Sequence, residues 1–189
     1  ELHDIRAEMW DASIANHLKY IDPNTALFHE KHTEFRNCPV CNKNNAIKMF
    51  IKEGGTYVKC INCTMVYLNP VFTDEALHHY YQTNHSVQSE IVETDPDGFY
   101  IDIYNQGLDS IQKVSENPSS ILDIGCSSGF FLDQSKLRTM ETYGVELNKN
   151  ECFEAKNKGH IAYNRILENI DFERKFDVIS MWDVFEHLK

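Results

Sequence analysis

Residues 121 to 132 read ILDIGCSSGFFL and residues 143 to 148 read YGVELN. No other stretch restricts the fold of this chain so strongly. Ile121, Leu122 and Ile124 flank a single polar residue, Asp123, and predict a buried strand. Gly125 and Gly129 then allow a tight turn and the close approach of a ligand to the backbone. Phe130, Phe131 and Leu132 open a helix whose first N–H groups face whatever the turn binds. Glu146 closes the next strand, where a carboxylate can take a ribose diol. A strand, glycine turn, helix and acid-tipped strand in this order make a nucleoside-cofactor site. An ordinary buried strand and turn would explain Ile121 and Leu122 but leaves Asp123 without a purpose.

The glycine spacing narrows the cofactor. A dinucleotide fold uses G-x-G-x-x-G to seat a pyrophosphate on the helix N-terminus, whereas this string is Gly125, Cys126, Ser127, Ser128, Gly129. An acidic Asp123 two residues ahead of the turn repels a pyrophosphate and attracts a cationic or amine-bearing ligand, directly or through water. Residues 123 to 129 resemble the first motif of the class I methyltransferases, roughly D/E-x-G-x-G-x-G, at Asp123, Gly125 and Gly129. Ser127 stands where the middle glycine usually lies, as it does in some relatives. The resemblance implies S-adenosyl-L-methionine as cofactor.

CPVC at 38 to 41 and CINC at 60 to 63 form two C-x2-C pairs. Four thiolates from two such knuckles satisfy tetrahedral zinc. Between them AIKMFIK and TYVK read as two strands joined through Glu53, Gly54 and Gly55, a hairpin that brings the knuckles together. The pattern predicts a zinc ribbon with a structural Zn2+ on Cys38, Cys41, Cys60 and Cys63; two disulfides or four buried thiols are the alternatives. Asn42 and Thr64 follow each second cysteine, where a left-handed backbone is usual. Cys126 and Cys152 lie outside this pattern and suit packing, Cys126 inside the turn and Cys152 in a helix.

Net charge is -11 over 189 residues, unevenly spread. Residues 71 to 118 hold 9 acids against 1 base, which disfavours a long phosphate backbone as partner. Only the cysteine segment is basic, with 4 lysines against 1 acid, and its lysines are spaced along a solvated face. No apolar run reaches membrane-spanning length and the first residues carry no basic, apolar leader. These features predict a cytoplasmic chain with no membrane partner.

The organisation read from the chain is a helical segment at 1–37, the ribbon at 38–70, a helical linker or lid at 71–118 and the cofactor-binding part at 119–189. A helix over 4–20 offers Ile5, Met9, Ala12 and Leu18 as an imperfect apolar stripe. Thr73 caps a second helix, TDEALHHYYQ. A third ends before Pro118 and covers a sheet with Ile103, Leu108, Ile111 and Val114. Strands at 121–124, 143–147, 160–163 and 176–181 alternate with helices at 130–139 and 149–158, so the fold class is α/β with a mostly parallel sheet. It is a partial Rossmann-like class I methyltransferase sheet, its first four strands, preceded by the ribbon and helices. The family's usual sheet has more strands, so the resemblance implies a chain truncated at its C-terminus and incomplete as an enzyme.

CPVC, YVKCINCTMVYLNP, ILDIGCSSGFF, YGVELN and FDVISMWDVFEHL, in this order, resemble methyltransferases with an N-terminal zinc-binding segment, some of which act on nucleotide-linked sugars. The resemblance implies that Asp123, Gly125, Cys126 and Gly129 line the methionine and ribose side. It implies also that Glu146 accepts the ribose hydroxyls and Leu147 flanks adenine. Residues 164 to 168 leave the contact to the adenine amine open. Met181, Trp182 and Asp183 are implied beside the sulfonium, although Met181 and Trp182 equally suit core packing. An imidazole titrates near pH ~6.5, so His187 can take a proton from a hydroxyl or an acidified sugar carbon, with Glu186 orienting it or acting itself; capping or packing is the alternative role for His187. Tyr80, Tyr81, His78 and His79 sit on a helix that either roofs the substrate or packs. The expected acceptor is a small molecule, such as a nucleotide-linked sugar or other carbohydrate. O-methylation of a quinone-like or phenolic acceptor, an RNA methyltransferase and a noncatalytic cofactor-binding module are the other readings; nucleic acid is disfavoured by the acidity of 71–118.

Overall fold

The structure, a computed structural model, describes residues 2–83, 92 and 98–187, with the first helix's side chains described at residue 7 and from residue 11 onward. The chain divides into two compact units, Glu1–Asn84 and His85–Leu188.

In the first unit, α1 spans Leu2–Leu18 and ends two residues before the expected end. Leu18 does not join an apolar stripe: it is 58% exposed, while Asn16 and Tyr20 are buried. Two residues rotate a helix by about 200°, which sets Leu18 on the face opposite Asn16. Tyr20 anchors an aromatic cluster with Phe72 and Tyr80, ring centroids 5.2 and 5.6 Å away, and its hydroxyl meets His79 Nδ1 at 2.7 Å. Tyr80 and His79 of α2 (Asp74–Thr83) thus take part in packing. The hydroxyl of Thr73 accepts the N–H of Ala76 at 3.2 Å, as expected of its cap.

Strands β2 (Ala46–Lys52), β3 (Gly55–Cys60) and β4 (Val66–Leu68) form an antiparallel sheet in that order, and β1 (Thr33–Glu34) pairs separately with β5 (Val71–Phe72). Glu53 and Gly54, with φ of 50° and 81°, make the two-residue turn between Lys52 and Gly55. Both central residues need positive φ in the hairpin turn that matches strand twist. The third strand, β4, is not legible in the sequence, because three residues carry too little period.

The second unit is a four-stranded parallel sheet ordered β8-β7-β6-β9, built from β6 (Ser120–Ile124), β7 (Glu141–Val145), β8 (Ile161–Tyr163) and β9 (Val178–Met181). Helices α3 (Phe99–Val114), α4 (Phe130–Leu137) and α5 (Lys149–Asn157) contribute Leu108, Phe131, Leu132, Cys152 and Ala155 to one core with Ile121 of β6. Leu122, Ile124, Tyr143 and Val145 point to the other face and pack with Leu167, Ile170, Phe172 and Phe176. Alternate residues of β6 therefore serve opposite faces, and all five are buried. Within α3, Leu108 and Ile111 reach the core as expected, but Val114 is 87% exposed because it is the last residue of the helix.

The strand boundaries shift from the expected ones, most at β7 and β9. β7 begins at Glu141 and ends at Val145, so Glu146 stands one residue beyond it, where the chain leaves its pairing with Ile124. β9 begins after Asp177, whose Oδ2 accepts the N–H and hydroxyl of Ser119 at 2.8 and 2.7 Å and those of Ser120 at 3.0 and 3.0 Å. These bonds hold the Asp177 carboxyl down at about 2 and clamp the starts of β6 and β9 together.

Candidate functional site

Strand order reverses beside β6, with β7 and β8 on one side and β9 on the other. In open α/β sheets the crevice at the carboxyl ends beside such a reversal is where ligands bind. The residues following β6, β7 and β9 are Gly125 to Gly129, Glu146 and Leu147, and Trp182 to Val184.

The turn after β6 uses the left-handed backbone three times, at Gly125 (φ 76°), Ser127 (φ 50°) and Gly129 (φ 88°). Gly125 is required for a second reason. A Cβ there would lie 2.4 Å from Cγ2 of Val184, so the loop after β9 presses directly on the turn. Cys126 is buried, and a Cβ on Gly144 of β7 would fall 2.4 Å from its sulfur, so the thiol fills the space that glycine leaves. Burial, reinforced by the nearby Asp123 and Glu146 carboxylates, raises the Cys126 pKa and keeps it a thiol. Gly129 caps α4 without any side-chain hydrogen bond, and the first N–H groups of a helix are the ones that lack partners within it.

Glu146 joins the turn to the loop after β7. Its Oε2 accepts the N–H of Ser127 at 2.9 Å and its Oε1 that of Asn148 at 2.7 Å. Burial raises the Glu146 pKa against the opposing pull of these N–H donors. A carboxylate has about four lone-pair sites, so these N–H groups leave room for a hydroxyl donor. Asn164, which the sequence placed only among candidates for an adenine contact, donates its amide to the carbonyls of Glu146 and Leu147 at 2.8 and 2.9 Å. It shapes the loop that presents both residues, and no local pattern marks it in advance. Asp123 is 2% exposed and accepts the hydroxyl of Ser180 at 2.7 Å. Burial drives its carboxyl up to about 7, with Ser180 opposing and Glu146 assisting.

The residues after β9 divide between core and surface. Trp182 packs its indole on Tyr104 and Phe131, centroids 4.9 and 5.1 Å away, and a Cβ on Gly107 of α3 would strike the ring at 2.9 Å. Among the described residues its Nε1 has no hydrogen-bond partner. Met181 is 37% exposed, and Asp183 takes a left-handed φ of 52° at the surface. Glu186 and His187 lie exposed on the short turn Phe185–His187.

A second candidate centre lies in the first unit. The sulfurs of Cys38, Cys41, Cys60 and Cys63 all lie within 4.8 Å of one another, with Cys38 to Cys63 and Cys41 to Cys60 both at 3.5 Å. None is in a disulfide. A zinc tetrahedron with Zn–S near 2.3 Å has sulfur–sulfur edges of about 3.8 Å, so the four ligands fit a metal ion. Each knuckle repeats the same bonds: Asn42 N–H to Cys38 O at 2.9 Å and Thr64 N–H to Cys60 O at 3.0 Å, with φ of 56° at Asn42 and 65° at Thr64. Backbone N–H groups of Cys63 and Asn62, against burial, hold the Cys60 thiol down at about 6.

A family model described as a methyltransferase domain matches residues 99–189. The match runs over α3, α4 and α5 and over strands β6 to β9. No curated protein matches the chain. Similar solved structures include the sugar N-methyltransferase KedS8 from Streptoalloteichus, at 20% identity over 42% of this chain and 33% of that one, with a TM-score of 0.39. CalS10, an amino pentose methyltransferase from Micromonospora echinaspora, is 22% identical over 43% of this chain and 35% of that one, with a TM-score of 0.40. DesVI from Streptomyces venezuelae is 18% identical over 50% of this chain and 42% of that one, with a TM-score of 0.42. The chain spans 33% to 42% of the length of these three structures. Likenesses this remote carry no inference about substrate. Among the described residues no helix is long and apolar enough to cross a membrane.

Proposed function

We propose that this chain is part of a methyltransferase that binds S-adenosylmethionine at the crevice above β6 and β7 and methylates a small molecule of the carbohydrate class, such as a nucleotide-linked sugar. The observation that carries the reading is the carboxylate of Glu146, fixed by the N–H groups of Ser127 and Asn148 beside a helix N-terminus that no side chain caps. That arrangement suits a ribose diol with a polar tail above the glycine turn. The match of residues 99–189 to a methyltransferase domain supports it independently.

When bound, the donor supplies a methyl group activated by a sulfonium. Gly125, Cys126 and Gly129 shape the backbone on which it rests, Asp123 lies buried beneath, and Leu147 flanks the base. Met181, Trp182 and Asp183 border the reacting end. His187 takes the proton of the acceptor, with Glu186 orienting it, so that the nucleophile is aligned and water kept out. Zn2+ on Cys38, Cys41, Cys60 and Cys63 makes the first unit a zinc ribbon whose fold depends on the metal. In this reading 1–37 is a helical segment, 38–70 the ribbon, 71–118 a helical linker or lid and 119–189 the donor-binding part of a cytoplasmic protein, where thiols stay reduced.

Titration calorimetry with S-adenosylhomocysteine tests the donor site. Saturable binding is expected, and no heat at millimolar ligand overturns the reading. Transfer of labelled methyl from S-adenosylmethionine to a panel of nucleotide-linked deoxysugars tests the acceptor class.

A further inference from the structure

We infer that His160 is a positioning residue for the glycine turn, setting where Gly129 and the first turn of α4 stand relative to the central strands; this rests on the reading of that turn as the donor site. His160 precedes β8 and belongs to no motif. Its side chain is wholly buried. Nδ1 lies 2.8 Å from Oγ1 of Thr142 on β7, and Nε2 lies 3.0 Å from Oδ1 of Asp133 on α4. With a carboxylate opposite Nε2, that nitrogen carries the proton, and Nδ1 accepts the threonine hydroxyl.

The ring also supports the turn by contact. A Cβ at Gly129 would lie 2.7 Å from Cδ2 and 3.1 Å from Nε2 of His160, so the glycine backbone rests on the imidazole edge. Asp133 closes the triangle, its N–H donating to Gly129 O at 2.8 Å. Thr142 is itself registered by strand pairing opposite Ile121. The turn is thereby referenced to β7 through one side chain rather than held by its own backbone alone. Lys158 balances Asp133, with Nζ 3.5 Å from Oδ2. Burial, opposed by Asp133 and aided by Lys136 and Lys158, lowers the His160 pKa and favours the neutral ring this geometry needs.

A turn displaced by a fraction of an ångström loses ligand contacts without unfolding the sheet, which separates positioning from bulk stability. His160→Phe keeps the ring volume and removes both hydrogen bonds. The test measures S-adenosylhomocysteine affinity by calorimetry, together with amide hydrogen exchange, in the wild type, His160→Phe, Asp133→Asn and the double variant. Affinity is expected to fall about tenfold in His160→Phe, a loss of about 1.4 kcal/mol. Exchange should quicken at Gly129 and Asp133 while Leu122 and Val145 hold. In the double variant the second substitution should add little, because both remove one contact. Unchanged affinity with unchanged exchange at Gly129 and Asp133 overturns the inference, as does uniform acceleration at all four amides with unchanged affinity. If His160→Phe does not fold, Asp133→Asn breaks the same contact from the surface side and decides by the same readings. If the wild type binds no S-adenosylhomocysteine, the donor reading fails, and the exchange pattern alone then decides whether His160 holds the turn.

Discussion

Oε2 of Glu146 accepts the backbone N–H of Ser127 at 2.9 Å, so a residue just past β7 holds the middle of the turn that follows β6. Removing the carboxylate takes away both a candidate ribose acceptor and a brace of the turn. Glu146→Ala is expected to weaken S-adenosylhomocysteine binding by roughly 100-fold, on the scale of losing a charged hydrogen-bond partner. Glu146→Gln, which keeps one carbonyl oxygen, should lose less. Equal affinity in Glu146→Ala and wild type by calorimetry would remove the ribose role.

Gly125 faces Val184 across the crevice, and the two can be tested as a pair. Gly125→Ala combines a left-handed backbone with a side-chain clash and should cost about 2 to 5 kcal/mol of unfolding free energy. Adding Val184→Ala should restore the part due to crowding while leaving the backbone strain. Urea melts of the two single variants and the double variant measure this coupling, and simple additivity would show that Val184 does not constrain the turn.

Asp123 makes stability depend on pH. Its carboxyl stands at about 7 in the folded chain against an ordinary 3.8. Stability from the protonated group is full below the lower value and is lost as pH rises through the upper one. A shift of this size corresponds to about 4 kcal/mol. Asp123→Asn keeps an oxygen for the Ser180 hydroxyl but cannot ionise. Its stability relative to wild type should therefore rise between pH 3.8 and about 7. Parallel stability profiles for the two proteins across that range would refute buried ionisation at this site.

The four clustered sulfurs predict about one zinc ion per chain. Elemental analysis of protein purified without chelator measures it. Displacing the metal with a thiol reagent, or substituting Cys60→Ser, should loosen β2 to β4 while the parallel sheet keeps its signal in hydrogen exchange. Protein without metal and with a protected ribbon would contradict the zinc assignment.

In the proposed reaction His187 takes a proton from the acceptor. His187→Ala should reduce kcat by roughly 10²- to 10⁴-fold, the usual range for a general base, while donor affinity holds. Comparable turnover in His187→Ala would assign the base elsewhere, with Glu186 the first alternative.

Much of the second unit is legible before any coordinates. The alternation around Asp123 and the acid after YGV prescribe parallel strands with a turn between them, because period and punctuation are local properties. The knuckles are legible for the same reason: each C-x2-C pair closes on itself within a few residues. Boundaries are less legible. Glu146 reads as the strand's last residue, yet the strand ends where its partner β6 ends. Leu18 and Val114 read as core by composition, and both lie exposed because helix phase and helix ends, not hydrophobicity, orient them.

The primary structure alone specified a glycine turn, an acid closing the next strand and two thiol pairs, since each lies within one short stretch of chain. Folding decided what those groups touch. Val184 makes Gly125 obligatory, Gly144 makes room for Cys126, and His160 lies beneath Gly129. Trp182 is drawn into the core by Tyr104 and Phe131. These partners are 18 to 78 residues apart, and only the stacking of strands and helices brings them within contact distance.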